Sequence, residues 1–81
     1  VKVRLSADAA ASLELLPRAV QTAFRDKIEL IRSFPRMHPI RDRGVMAGYH
    51  AFVIDRYLFY YRVSSSEVQI LAILHGMMDE A

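Results

Sequence analysis

The chain has 81 residues and a formal net charge of +2, which makes one small domain with a limited core and too little positive charge to imply nucleic-acid binding by itself. Hydrophobic residues form 53% of it and charged residues 25%, the balance of a folded globular protein rather than a disordered one. The absence of cysteine excludes disulfides and thiolate metal sites. With no apolar run near the ~20 residues of a membrane span and no charged-then-apolar leader, the expectation is a cytoplasmic protein with no membrane contact.

Val1, Val3 and Leu5 alternate with Lys2 and Arg4, the period-two pattern of a strand with one buried face. Ser6 then reads as an N-cap, with Asp8 in the first turn where the helix dipole favours an anion. Ala9, Leu13 and Leu16 give a short amphipathic helix that Pro17 halts, and Pro17 can open the next helix as its first residue. Val20, Phe24, Ile28 and Ile31 line one face of that second helix, which Phe34-Pro35 ends because a residue before proline leaves the helical region. Helices joined so closely form a hairpin, and their shared apolar face needs a sheet to cover.

No periodicity survives from Pro35 to Gly48, and a stretch of that length in a small domain is often a binding loop. Arg32, Arg36, Arg41 and Arg43 fall close together with only Asp42 among them. The planar guanidinium suits carboxylates and phosphates, although scattered charges on a solvated loop would look the same. Strands are expected at about Tyr49–Ile54, Tyr57–Val63 and Val68–Leu74, with turns at Asp55-Arg56 and Ser64-Ser65-Ser66, so they form an antiparallel meander. Val68 and Ile70 to Leu74 are apolar on both faces of the last strand, whereas two layers would leave one face wet. A partner on that open face is therefore expected. Tyr57 and Tyr61 share one face and Tyr60 takes the other. Met37, Met46, Met77 and Met78 lie outside the periodic segments, where flexible thioethers suit an adaptable interface.

The segment YLFYYRV at Tyr57–Val63, followed after a short turn by VQILAILHGMMD, resembles the ending of the RelE/ParE toxins of type II toxin–antitoxin systems, the ParE branch more than the RelE branch. The order strand–helix–helix–strand–strand–strand is similar to that family's through the whole chain. The resemblance implies an α+β domain over residues 1–81, with the helical hairpin on one face of a mostly antiparallel four-stranded sheet. It also implies a cytoplasmic toxin of a plasmid-stabilisation module, held inactive by a cognate antitoxin that covers the sheet and hairpin. Leu13, Leu16, Tyr57 and Tyr61 are the antitoxin-binding candidates, in a toxin–antitoxin hetero-oligomer or a homodimer.

Departures from the RelE pattern separate the branches. Nuclease relatives place arginine where this chain has His50 and Leu58, and further basic residues where it has Met77 and Met78. RNA cleavage by 2′-hydroxyl attack needs a base, an acid and cations on the phosphorane, and leucine or methionine supplies no cation. The implied activity is therefore inhibition of DNA gyrase by protein–protein binding rather than catalysis, with Arg36, Arg41, Arg43, Met77 and Met78 as target-binding candidates. The alternatives are a ribosome-dependent mRNA endoribonuclease using His50, His75, Arg56 and Arg62 converging at one end of the sheet, and a non-toxic antitoxin-binding relative. The histidines have no metal-ligand spacing, so neither a metal nor a cofactor is expected.

Overall fold

The computed structural model describes residues 1–44 and 47–75, and its elements follow the expected order. They are β1 (Lys2–Leu5), α1 (Ala7–Glu14), α2 (Arg18–Ser33), β2 (His50–Ile54), β3 (Tyr57–Val63) and β4 (Glu67–His75). Ser6 caps α1, its Oγ accepting from the Ala9 N–H at 3.0 Å while donating to the Leu71 carbonyl at 2.9 Å. One hydroxyl thus starts the helix and ties it to β4. Pro17 stands one position earlier than expected, as the N-cap of α2, and its carbonyl accepts from Val20 and Gln21. At the other end the Phe34 N–H still reaches the Leu30 carbonyl at 2.8 Å, and Pro35 stops the helix there.

The sheet order is β1-β4-β3-β2, with β1 parallel to β4 and the other pairs antiparallel. A parallel pair needs a crossover, and the two helices supply it on one face. Val20, Phe24, Ile28 and Ile31 of α2 pack there on Phe52, Phe59, Tyr61, Val68 and Ile70, with Ala9 of α1. Stacked rings form the centre: Phe24 lies 5.1 Å from Phe59, and Phe59 lies 4.9 Å from Phe52. Tyr60 pairs with Ala72 but Tyr61 with Ile70, so Leu71 is a bulge residue. The bulge keeps Ile70 and Ile73 both on the helix side, and its carbonyl is the one that receives Ser6.

The opposite face is less open than the apolar run of β4 suggested. Leu58 and Tyr60 are fully buried there, and the Arg41 guanidinium lies 5.8 Å from the centre of the Tyr60 ring. Among the described residues of this face, Val53 is 47% exposed and Ala51, Ala72 and Leu74 are half-buried. The loop after α2 also closes one sheet edge. Ile40 bridges His50, the Arg41 N–H reaches the Tyr49 carbonyl, and the Gly48 N–H returns to the Arg41 carbonyl, both at 2.9 Å. Gly48 makes that return at φ +93°, a region that side chains rarely adopt. Among the described residues no strand covers the outer edge of β1.

Candidate functional site

That uncovered edge borders a cleft. Val3 and Leu5 of β1, Leu13 of α1, and Phe24 and Ile28 of α2 floor a cavity of about 210 Å³, and Arg25, Glu29 and Arg32 stand on its rim. The cleft exists because β1 is a short edge strand whose apolar side is only partly covered by the helices, leaving Val3 and Leu5 half-buried. An extended partner segment would meet unpaired backbone groups on β1 and place alternate apolar side chains in the cleft. Of the antitoxin candidates, Leu13 lines this site. Leu16 sits half-buried in the turn after α1, its carbonyl held by Gln21 Nε2 at 2.9 Å. Sequence reasoning did not single out Val3, Leu5, Phe24 or Ile28 as binding residues, although the alternation opening the chain carried the signal.

The two tyrosine candidates differ. Tyr57 is half-buried with its ring 5.0 Å from that of His75, so it retains surface. Tyr61 is fully buried on the helix side, its ring stacked 5.1 Å from His50. Burial pushes its pKa up, an effect that the nearby His38 backbone offsets in part, and its hydroxyl has no partner in hydrogen-bonding geometry. In this arrangement Tyr61 is a core residue with no surface to present.

The loop arginines do not form one patch. Arg36 is exposed just past the end of α2, whereas Arg41 turns onto the sheet over Tyr60. Arg43 is exposed with its Nε 4.0 Å from Asp42 Oδ1, beside a polar hollow lined by Pro39 to Arg43 and Ala51. Met77, Met78 and Met46 lie outside the described residues.

The expected convergence of His50, His75, Arg56 and Arg62 does not occur. His50 is 8% exposed beneath the loop, and its Nδ1 lies 2.6 Å from the His38 carbonyl oxygen, so Nδ1–H is the donor and fixes the tautomer. His50 pairs with Tyr61, whereas His75 pairs with Tyr57 on the other side of β3. Four residues along the strand and two strand spacings across put the histidine backbones about 16 Å apart. Arg56 sits in the β2–β3 turn at the His75 end. Arg62 lies at the His50 end but on the opposite face, donating to Gln69 Oε1 at 2.8 Å. The physical reason is the meander itself: His50 opens β2 and His75 closes β4, which places them at opposite ends of the intervening β3, and alternation along β3 turns Arg62 to the face away from His50. Leu58 is fully buried. His38, which sequence reasoning passed over, packs 5.3 Å from the Phe52 ring, and burial, then Lys27 and His50, lower its pKa.

The family model for the ParE toxin of type II toxin–antitoxin system, parDE, matches residues 3–80. No curated protein sequence gives a significant match. A chain of the toxin–antitoxin complex RelBE2 from Mycobacterium tuberculosis superposes with a TM-score of 0.64 at 23% identity, over 91% of this chain and 88% of that one. A chain of the chromosomal ParDE system from P. aeruginosa gives 0.61 at 21% identity, over 95% and 97%. At such identities the likeness is one of fold, an α+β arrangement of two helices on a four-stranded mixed sheet.

Proposed function

Because the chain belongs to the ParE toxin family of type II toxin–antitoxin systems, we propose that it is a toxin that inhibits DNA gyrase by binding it, without catalysis. The observation that carries this reading is the separation of the groups a ribonuclease would need. His50 lies under the loop at one end of the sheet and His75 at the other, with Arg56 and Arg62 divided between the two ends. General acid–base cleavage needs both proton-transfer groups within hydrogen-bond reach of one phosphodiester, which two side chains so far apart do not provide.

In this reading the antitoxin docks in the cleft beside β1. Strand addition gives main-chain hydrogen bonds along the uncovered edge, and the pockets between Val3, Leu5 and Leu13 select apolar side chains. The mixed charges of Arg25, Glu29 and Arg32 on the rim fix register more than affinity.

The test is the order of events after the protein is produced in cells without antitoxin. A gyrase inhibitor relaxes plasmid DNA before protein synthesis falls. If bulk translation stops first and plasmid supercoiling persists, the gyrase reading fails.

A further inference from the structure

The stripe of α2 that faces the sheet ends at Ile31, yet a second apolar series runs past it. Leu30, Phe34 and Met37 are 48%, 63% and 42% exposed. The Phe34 N–H bonds the Leu30 carbonyl at 2.8 Å and the Met37 N–H bonds the Phe34 carbonyl at 3.1 Å, so the series holds together past Pro35. Ser33 to Met37 line an open hollow of about 520 Å³. Phe34, Pro35 and Met37 line that hollow, and Leu30 stands exposed about one helical turn before Phe34, more than the scattered exposure of an ordinary surface.

Charge narrows the occupant. Arg36 is the charged residue lining this hollow, whereas Arg32 pairs with Glu29 on the cleft rim and Arg41 lies over Tyr60. A second copy docked here about a two-fold axis would bring Arg36 against its own counterpart, which argues against self-association. A bilayer surface is bound by a long amphipathic face, whereas this patch is short and centred on the concavity at Ser33 to Met37. What fits is a protein with an apolar anchor site rimmed by carboxylates. The patch is also separate from the cleft: Leu30 is two residues from Ile28, about 200° around the helix.

We propose that Leu30, Phe34 and Met37, with Arg36 beside them, form the surface that grips the target, a protein groove that takes the Phe34 ring and pairs an Asp or Glu with Arg36. The proposal rests on the target-binding reading above and adds to it the anchor residues and the chemistry of the partner.

The experiment compares the full chain with a Phe34→Ser/Met37→Ser variant and with Arg36→Glu, using growth arrest in cells and binding to immobilised purified gyrase. Because the replaced side chains are exposed, thermal melting close to the parent's serves as the fold control. The expected result is a loss of growth arrest and a drop in gyrase affinity of about tenfold or more for each variant. Variants that arrest growth as the parent does overturn the surface while leaving the target reading intact. If the parent arrests growth without binding gyrase, gyrase is the wrong target, and loss or retention of arrest in the variants still upholds or overturns the patch. Binding to phosphatidylglycerol vesicles that only the variants lose would overturn it in favour of a lipid surface. A parent that never slows growth sinks both proposals.

Discussion

The Nδ1 of His50 lies 2.6 Å from the carbonyl oxygen of His38, a hydrogen bond that pins the loop after α2 to the first residue of β2. The bridge between Ile40 and His50 continues the attachment, so the loop acts as a short cover for the β2 edge. A histidine that a nuclease reading would treat as catalytic therefore holds structure.

The His38 side chain makes this attachment sensitive to pH. It sits against Phe52, near His50 and near Lys27, whose Nζ stands 5.7 Å from the Phe52 ring centre. Burial, then Lys27 and His50, hold its pKa below the ordinary 6.5, and its Nε2 is buried with no partner. The folded state therefore binds this proton less readily than the unfolded state does. Its contribution to stability is complete above about pH 6.5 and is lost as pH falls from there through the lowered value. Thermal melting between pH 8 and pH 5 should show a midpoint that falls on acidification, with a smaller fall in His38→Phe. An equal fall in both proteins would assign the effect to other groups.

Antitoxin binding should depend on the cleft. Val3→Asp and Leu13→Asp place a carboxylate among Leu5, Phe24 and Ile28, and each should weaken antitoxin binding by roughly tenfold or more in calorimetry. Val53→Asp, on the far face of the sheet, should change it little. Equal losses at all three positions would point to a partner that wraps the whole sheet.

Asp55 opens the β2–β3 turn at φ +56°, a conformation that costs a β-branched residue far more than aspartate or glycine. Asp55→Val should lower stability by about 1–2 kcal/mol in denaturant melts, whereas Asp55→Gly should be close to neutral. A harmless valine would show that the turn readily takes another form.

Much of this architecture was legible in the chain. The alternation of Val3 and Leu5, the cap at Ser6, the stripe Val20–Phe24–Ile28–Ile31 and the stop at Pro35 each act locally, so local patterns reveal them. Tyr57 and Tyr61 do share the helix side, as period two requires. What local pattern did not reveal is tertiary. The burial of Leu58 and Tyr60 on the far face is a property of the folded chain, and Arg41 reaches Tyr60 only because the loop returns across the β2 edge. The cleft has the same origin, since Val3 and Leu5 read as core until β1 proves to be an edge. The separation of His50 from His75 was already implicit in the expected antiparallel meander, because His50 opens one strand and His75 closes the strand two further on.

The two histidines give a direct check on chemistry. His75→Ala removes an exposed ring and should leave growth arrest unchanged. His50→Ala should act through the loop, lowering the melting temperature, and His50→Gln should restore part of that stability by donating to the His38 carbonyl again. Loss of growth arrest in His75→Ala, with folding intact, would revive a catalytic role.

Inhibition of gyrase by binding can be measured with purified components. Relaxed plasmid, gyrase and ATP would be incubated with the protein freed from antitoxin, and supercoiled product followed over time. Supercoiling should stop in proportion to added toxin and be restored when antitoxin is supplied. Undiminished supercoiling by folded protein at a large excess over gyrase would contradict it.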